Sequence, residues 1–196
     1  MIGCVNEIGE RQKADNISGL LGETGFRQYM DQQDTPLETG FLLRIGIDHF
    51  KEINDNFGQE YGDFVLRKTA DCISGCISEA QKVYKLVADE FLILDVSSDK
   101  VRDAEKLYDK VREAIDRFIE ANKFKVMYTV SGGIVPFRTL EGDQYSEALK
   151  LTDFALNEAK KRGRNRCYIF DRETYRKFLR KREITQELRE AVNNGF

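Results

Sequence analysis

The sequence predicts an α/β domain, because strand-like apolar runs alternate with amphipathic helical segments along the chain. Residues 41–47 form an apolar run that is too short for a buried helix, which indicates a central strand. Residues 83–86 and 91–96 are two further strands, and their connection is so short that they must pair as an antiparallel hairpin. Apolar residues that recur every three or four positions predict amphipathic helices over residues 101–118 and 145–161.

Length and composition limit the class of protein. A chain of 196 residues suits one domain, alone or with helical extensions. Its 34 acidic and 31 basic residues nearly balance, so no global field favours nucleic acid or an anionic membrane as a partner. No apolar run approaches the length of a membrane span, and residues 1–13 lack the apolar core of a signal peptide. We therefore expect a cytoplasmic domain with no nucleic-acid partner and no membrane segment.

The cysteines allow two interpretations. Cys72 and Cys76 stand four residues apart, on one face of a predicted helix, and could hold a metal ion. The chain has a single histidine and no second cysteine pair near these two. Buried thiols in a reducing cytosol are therefore the favoured interpretation.

The first half of the chain contains three predicted helices. Turn and cap residues at positions 15–21 precede a short helix over residues 23–30. After the central strand, one helix is expected to start near Phe50 and the next near Asp63. Residues 57–62 would connect them.

The second half ends in a strand and a charged segment. Residues 125–131 are rich in β-branched and aromatic types, which predicts another strand. Gly132 and Gly133 weaken that strand and suggest a close approach of another backbone. Residues 167–170 predict a short final strand, and the charge-dense residues 172–192 predict a solvated helix or linker.

Several separated motifs, in order, resemble one known family. The central strand is followed by an Asp-x-Phe-Lys-x-Ile-Asn-Asp-x-Phe-Gly motif at residues 48–58, then by Gly-Asp at 62–63 and Asp-Glu-Phe at 89–91. This pattern resembles the GGDEF family, the diguanylate cyclases, and the likeness extends over about residues 15–170. The resemblance implies a nucleotide cyclase-like α+β fold with a central, mainly antiparallel five-stranded sheet flanked by helices. It also implies that two GTP molecules are joined into cyclic di-GMP with Mg²⁺, a phosphoryl transfer that depends on positioning and charge neutralisation.

The metal ligands implied by the resemblance are incomplete here. The family uses an Asp at the end of the first strand, the backbone carbonyl after it and the first acid of the hairpin turn, which correspond to Gly46, Ile47 and Asp89. Gly46 has no side chain. Asp48 is a candidate rescue ligand, although a shift of two residues along a strand moves a ligand by ~6–7 Å. If the domain is active, Asp48, Asp89 and Glu90 would act with Mg²⁺, and Glu90 is the candidate catalytic residue.

The turn itself also departs from the family. Val87 and Ala88 stand where the family has Gly-Gly. If either position needs a left-handed backbone, the strain is about 1–2 kcal/mol per residue. We therefore expect the turn to change shape rather than carry that strain, which would narrow or reshape the pocket.

The resemblance also implies a nucleotide-binding set. Asn54 and Asp63 match the pair that contacts guanine, and Lys51, Lys160 and Arg164 match positions near the phosphates. By residue type alone, Asn54 and Asp63 could equally be helix caps. Lys160 and Arg164 could likewise be only a cationic helix end.

The resemblance sets the expected domain boundaries. Residues 1–14 would be an N-terminal extension, residues 15–171 a GGDEF-like domain and residues 172–196 a helical linker. Residues 187–192 and 194–196 resemble the opening of an EAL domain, the cyclic di-GMP phosphodiesterase that often follows GGDEF. We therefore expect a fragment of a two-domain protein whose partner is an adjoining EAL-like domain.

Three functional hypotheses follow. The leading one is a degenerate GGDEF domain that does not synthesise cyclic di-GMP and that regulates the EAL-like domain, with GTP as its candidate ligand. The first alternative is an active diguanylate cyclase that works as a facing homodimer. The second alternative is a nucleotide-free dimerisation or scaffold domain.

Overall fold

The computed structural model describes residues 14–122, 124 and 126–193 of the chain. This part contains six strands: β1 (Leu21–Gly22), β2 (Phe41–Ile47), β3 (Gln81–Lys85), β4 (Glu90–Asp95), β5 (Val130–Pro136) and β6 (Cys167–Ile169). It also contains six α-helices: α1 (Glu23–Asp31), α2 (Phe50–Phe57), α3 (Gln59–Ser74), α4 (Val101–Ala121), α5 (Gln144–Lys161) and α6 (Arg172–Asn193).

The strands form a single mixed sheet in the order β1-β3-β4-β2-β5-β6. Its four central strands, β3, β4, β2 and β5, pair with one another in antiparallel fashion, which confirms the mainly antiparallel sheet and the β3–β4 hairpin. The edge strands β1 and β6 are parallel to β3 and β5. The sheet therefore has six strands and not five. The additional strand, β1, is two residues long and so carries no alternating pattern that sequence could show.

Helices cover both faces of the sheet, so every residue of β2 is buried. Alternate residues from Phe41 to Ile47 belong to the core under α3 and α4, whereas Leu42 belongs to the core under α1 and α5. Successive side chains of a strand point to opposite faces, so Arg44 and Gly46 lie on the α5 face. This face carries the candidate site.

The fifth strand differs from its prediction. It runs from Val130 to Pro136 and passes through Gly132 and Gly133, whereas sequence placed it at residues 125–131. The glycines were treated as weakening the strand, yet both are buried within it. A Cβ on Gly133 would overlap the backbone nitrogen of Leu156 in α5. The close backbone approach is therefore confirmed, and it explains why a glycine occupies a strand interior.

The connection between α2 and α3 is shorter than predicted. Gly58 alone separates the two helices, with φ at 85°, so α3 begins at Gln59 rather than near Asp63. A single glycine with positive φ is enough to redirect the chain. Gly62 lies within α3, where a Cβ would overlap the Asn54 side chain. The missing side chain at residue 62 therefore leaves room for Asn54.

The charged segment after β6 is one helix, α6, of 22 residues. Its first turns pack on α5 through aromatic rings: Tyr175 and Phe178 lie 4.9 and 5.2 Å from Phe154, measured between ring centroids. The predicted N-terminal extension falls almost entirely outside the described residues, as do residues 194–196 of the predicted linker. The proposed domain boundaries stay predictions.

The thiols within the described residues are free, and Cys4 lies outside this part. Cys76 is buried, while Cys72 and Cys167 are half-buried. Burial raises the pKa of Cys72 and of Cys167 to about 11. Among the described helices, none combines the length and apolarity needed to cross a bilayer.

Candidate functional site

The candidate site lies where three segments meet: the end of β2, the β3–β4 turn and the last turn of α5. The backbone N–H of Ile47 donates to the carbonyl of Asp89 at 3.3 Å, which joins the strand end to the turn. The Lys160 ammonium lies 4.0 Å from the Asp89 carboxylate. The structure therefore brings together Gly46, Ile47, Asp89 and Lys160, and their roles at a nucleotide site stay predictions.

The hairpin turn carries a left-handed residue. Ala88 has φ at 52°, so the expectation that the turn would avoid this conformation is wrong. Lys85, which is only 5% exposed, donates from Nζ to the carbonyls of Leu86 at 2.9 Å and Ala88 at 2.5 Å. Burial lowers the pKa of Lys85, and nearby carboxylates, Asp15 first, oppose that change. These hydrogen bonds hold the turn and offset the strain at Ala88.

Asp89 is held beside a cation. Its side chain is 18% exposed and that of Lys160 is 24% exposed. Burial raises the pKa of the Asp89 carboxyl; the Lys160 ammonium opposes this change, and the charge of Glu90 adds to it. Asp89 is thus a half-buried acid whose one ion-pair partner among the described residues is a lysine of the same chain.

Glu90, the candidate catalytic residue, is engaged by Arg44. The Arg44 Nε donates to Glu90 Oε2 at 2.7 Å, and its Nη2 contacts the same oxygen. Arg44 also donates from Nη1 to the carbonyl of Leu149 at 3.1 Å and lies 3.6 Å from Asp153. The sequence analysis missed Arg44. The sequence does contain a signal for Arg44: it is a charged residue within an otherwise apolar strand. A charged residue in such a position is almost always buried together with a partner of opposite charge.

Asp48 is a buried structural acid. It is 2% exposed, and its two oxygens accept hydrogen bonds from the hydroxyls of Thr129 and Ser131, each at 2.7 Å. It also accepts the backbone N–H of Asn165 at 3.2 Å. These contacts fix the strand end to β5 and to the loop after α5. Rescue of the metal site by Asp48 stays a prediction, and these hydrogen bonds oppose it.

The predicted guanine pair lies on α2 and α3. Neither Asn54 nor Asp63 caps a helix: both lie within helices, and α2 and α3 begin without a side-chain cap. Asn54 Oδ1 is buried and accepts no hydrogen bond from any described residue. Asp63 is half-buried and likewise carries no hydrogen bond or ion pair within the described part. The half-buried Asp63 carboxylate is therefore available to a ligand, whereas Asn54 Oδ1 lies buried against Gly62 and becomes available only if its side chain changes rotamer.

The two remaining phosphate candidates are exposed. Lys51 lies on the surface of α2. Arg164 follows α5 with φ at 60° in the loop that also contains Gly163. Within residues 14–122, 124 and 126–193, no hydrogen bond or ion pair joins these side chains to the hairpin acids, and no three His, Cys, Asp or Glu side chains are grouped as a metal site.

Comparison with solved structures identifies the fold. The chain is similar to the coiled coil and GGDEF domain of DgcB from Caulobacter crescentus, determined in complex with c-di-GMP, with a TM-score of 0.71 and 21% identity over 86% of this chain and 91% of that one. At this level of identity the likeness concerns the fold alone. The α+β sheet of this chain therefore has the fold of that GGDEF domain.

Sequence comparison then gives the family. Residues 12–166 match the family described as "Diguanylate cyclase, GGDEF domain". The protein belongs to the GGDEF family, whose domains occur in cyclic di-GMP signalling proteins.

Curated relatives are longer than this chain. The chain is 27% identical to the cyclic di-GMP phosphodiesterase NbdA of Pseudomonas aeruginosa over 95% of its own length and 24% of that protein. It is 28% identical to the diguanylate cyclase DgcZ of Escherichia coli over 82% of its own length and 54% of that protein. The chain therefore spans between about a quarter and about half of these two relatives.

Proposed function

We propose that this chain is a degenerate GGDEF domain that does not synthesise cyclic di-GMP. In this proposal it binds cytoplasmic GTP through Asn54, Asp63, Lys160 and Arg164, and it regulates an adjoining EAL-like phosphodiesterase domain. Lys51 is a further candidate near the phosphates.

One observation carries the proposed inactivity: both hairpin acids are paired with cations of the chain itself. Arg44 holds Glu90, and Lys160 lies beside Asp89. Phosphoryl transfer requires metal ions that neutralise the developing charge at the phosphates. Gly46 supplies no carboxylate, and each of the two acids that remain has a cation of the chain beside it. These groups are therefore poorly placed to hold a catalytic metal ion.

The guanine pair supports retained binding. The buried Asn54 Oδ1 has no donor among the described residues, and burying an unpaired acceptor is unfavourable. Because Oδ1 has no partner, it loses no hydrogen bond when the Asn54 side chain rotates out of its contact with Gly62 to meet the N–H groups of a guanine edge. The half-buried Asp63 carboxylate would accept a second N–H.

The regulatory role rests on two further observations. The relative that matches 95% of this chain is named a cyclic di-GMP phosphodiesterase, and the matched part is 24% of its length. Residues 187–192, which resemble the opening of an EAL domain, lie at the end of the continuous helix α6. We propose that an EAL-like domain follows and that GTP binding alters its activity. A homodimer is compatible with this arrangement.

The experiment is a calorimetric titration of GTP into the protein with Mg²⁺, followed by chromatography of the mixture for cyclic di-GMP. We expect saturable binding, no sustained heat and no product. Asn54→Ala should weaken binding about tenfold, the loss of one good base contact. Asn56→Ala, an exposed neighbour on the same helix, should bind as the wild type does.

Each other outcome has a defined meaning. Cyclic di-GMP in the mixture would refute the proposed inactivity and favour the active cyclase. Absence of GTP binding would refute the sensing role and favour the nucleotide-free scaffold. Equal affinities for the wild type and Asn54→Ala would remove Asn54 from the site.

A further inference from the structure

We infer that the Lys160 ammonium takes the place of a divalent cation at the hairpin, so that this site receives nucleotide phosphates without a metal ion. The inference rests on the proposed function for the class of ligand, a nucleoside triphosphate. It adds how the phosphates are neutralised, which departs from the Mg²⁺ dependence that the family implies.

The first argument is the position of the ammonium. A Cβ built on Gly46 would lie 3.0 Å from Lys160 Nζ and 3.3 Å from its Cε. It would also lie 3.1 Å from Leu156 Cδ2. Lys160 therefore fills the space into which a side chain at residue 46 would project. The residue whose carboxylate is missing and the cation that replaces a metal share one location.

The second argument is the charge that surrounds this location. The Lys160 ammonium lies 4.0 Å from Asp89, the one hairpin acid that Arg44 does not hold. A divalent ion bound by Asp89 would lie beside this ammonium, and like charges at such a distance repel strongly in a partly buried site. In the Lys160–Asp89 pair, the Lys160 ammonium already supplies a positive charge at this location.

The third argument is the donor capacity of Lys160. An ammonium has three N–H donors, and a single carboxylate at 4.0 Å does not use them all. The Lys160 side chain is 24% exposed, so its remaining donors can reach a ligand. Phosphate oxygens are suitable acceptors for such charge-assisted hydrogen bonds.

The fourth argument is that the other nearby acids are engaged. Glu90 is bonded to Arg44, and both oxygens of Asp48 accept hydrogen bonds from hydroxyl groups. Mg²⁺ needs near-octahedral oxygen coordination and gives up its water reluctantly. To bind here it would have to displace Lys160 or break one of these contacts. The donor set therefore fits Mg²⁺ poorly and fits an anionic ligand well.

The first test compares GTP titrations in EDTA and in Mg²⁺. We expect dissociation constants within about threefold of each other, since the metal adds little. Lys160→Met should weaken binding at least about tenfold in both buffers. Lys161→Met is the matched control, because Lys161 is exposed and paired with Glu158 at 2.9 Å, and it should bind normally. Binding that is more than about tenfold tighter in Mg²⁺ would overturn the inference.

The second test uses the metal alone, so it does not depend on GTP. Mn²⁺ is titrated into the protein, and the free ion is followed by electron paramagnetic resonance. We expect no stoichiometric site in the wild type and one site in the Gly46→Asp/Lys160→Met double variant. A wild-type Mn²⁺ site that Asp89→Asn abolishes would overturn the inference, as would a folded double variant that binds no more Mn²⁺ than the wild type.

The two proposals can fail separately. If GTP binds in neither buffer, the proposed sensing role fails, while the Mn²⁺ titration still decides whether Lys160 replaces the metal. If GTP binds only with Mg²⁺, the sensing role stands and the inference fails.

Discussion

The hairpin side of the site and its α2–α3 side differ in how their polar groups are paired. On the hairpin side, Glu90 is bonded to Arg44 and Asp89 lies beside Lys160. On the α2–α3 side, Asn54 Oδ1 is buried with no donor among the described residues, and Asp63 has no partner there. On one side each acid has a cation of the chain beside it, and on the other the polar groups have no partner among the described residues.

This difference shows how one domain can lose a reaction and keep a ligand. Paired charges contribute to the fold and leave little capacity for a metal ion. Unpaired buried groups lower stability, because their hydrogen bonds to water are lost on folding. On the hairpin side the Arg44–Glu90 pair thus contributes to stability, whereas the α2–α3 side has polar groups whose hydrogen bonds are not made within the described residues.

Arg44→Ala should have the largest effect on stability. The substitution leaves Glu90 partly buried without its cation, and breaking such a pair costs about 3–5 kcal/mol. Urea unfolding followed by circular dichroism measures the loss. Arg27→Ala is the matched control, because Arg27 is exposed and 3.8 Å from Asp31, and it should cost less than about 1 kcal/mol. Equal losses for the two variants would refute the stabilising role of the hairpin side.

Ala88→Gly should raise the free energy of unfolding by about 0.5–1 kcal/mol, because glycine adopts a positive φ without strain. The turn then no longer depends on Lys85 to hold a strained residue. Thermal unfolding at several scan rates measures the change. Val87→Gly is the control: Val87 does not have a positive φ, so glycine there should lower stability. A loss of stability in Ala88→Gly would show that the turn is not strained.

Asn54→Ala should leave stability unchanged or raise it by up to about 1 kcal/mol, because it removes an unpaired buried acceptor and adds a better helix former. The same variant should lose GTP affinity. Urea unfolding in the absence of nucleotide measures the first effect. A marked loss of stability would mean that Asn54 supports the fold and would break the contrast between the two sides.

Asp89→Asn should have the smallest effect, and this effect should depend on pH. Since the pKa of Asp89 is raised in the folded state, the folded protein holds more protons than the unfolded chain between the ordinary Asp value and the raised one. The ionised Asp89 therefore lowers wild-type stability as the pH rises through this window. The variant should gain stability over the wild type at pH 7 and lose that advantage below pH ~4. Urea midpoints at both pH values measure it, and an advantage that grows in acid would contradict it.

Local pattern and motif predicted the parts of the fold that have clear periodicity. The apolar run of β2, the short β3–β4 connection and the amphipathic helices α4 and α5 are all present. Two elements did not follow from pattern. β1 is too short to show alternation, and the extent of β5 depends on how closely α5 approaches Gly133. Such packing between distant segments is not visible in a local window.

In the candidate site too, residues that belong to a motif were predicted, whereas residues that act through tertiary contacts were not. Asp89, Asn54 and Lys160 were located by motif, and the structure places Lys160 beside Asp89. The partners Arg44 and Lys85 were missed, because neither belongs to a motif and each acts through contacts across strands or within a turn. A charged residue in an apolar strand was the available signal for Arg44.

Because Gly133 has no side chain, α5 packs closely against β5. A Cβ at residue 133 would overlap the backbone nitrogen of Leu156, so the backbones of α5 and β5 are in direct contact there. Phe154, in the middle of α5, contacts Tyr175 near the start of α6, with 4.9 Å between the ring centroids. From Tyr175 to the last residue of α6, Asn193, about 27 Å of helix extends beyond this contact. If α6 follows a small tilt of α5 through this contact, the far end of α6 moves by several ångströms, because a rotation produces a larger displacement at a greater distance.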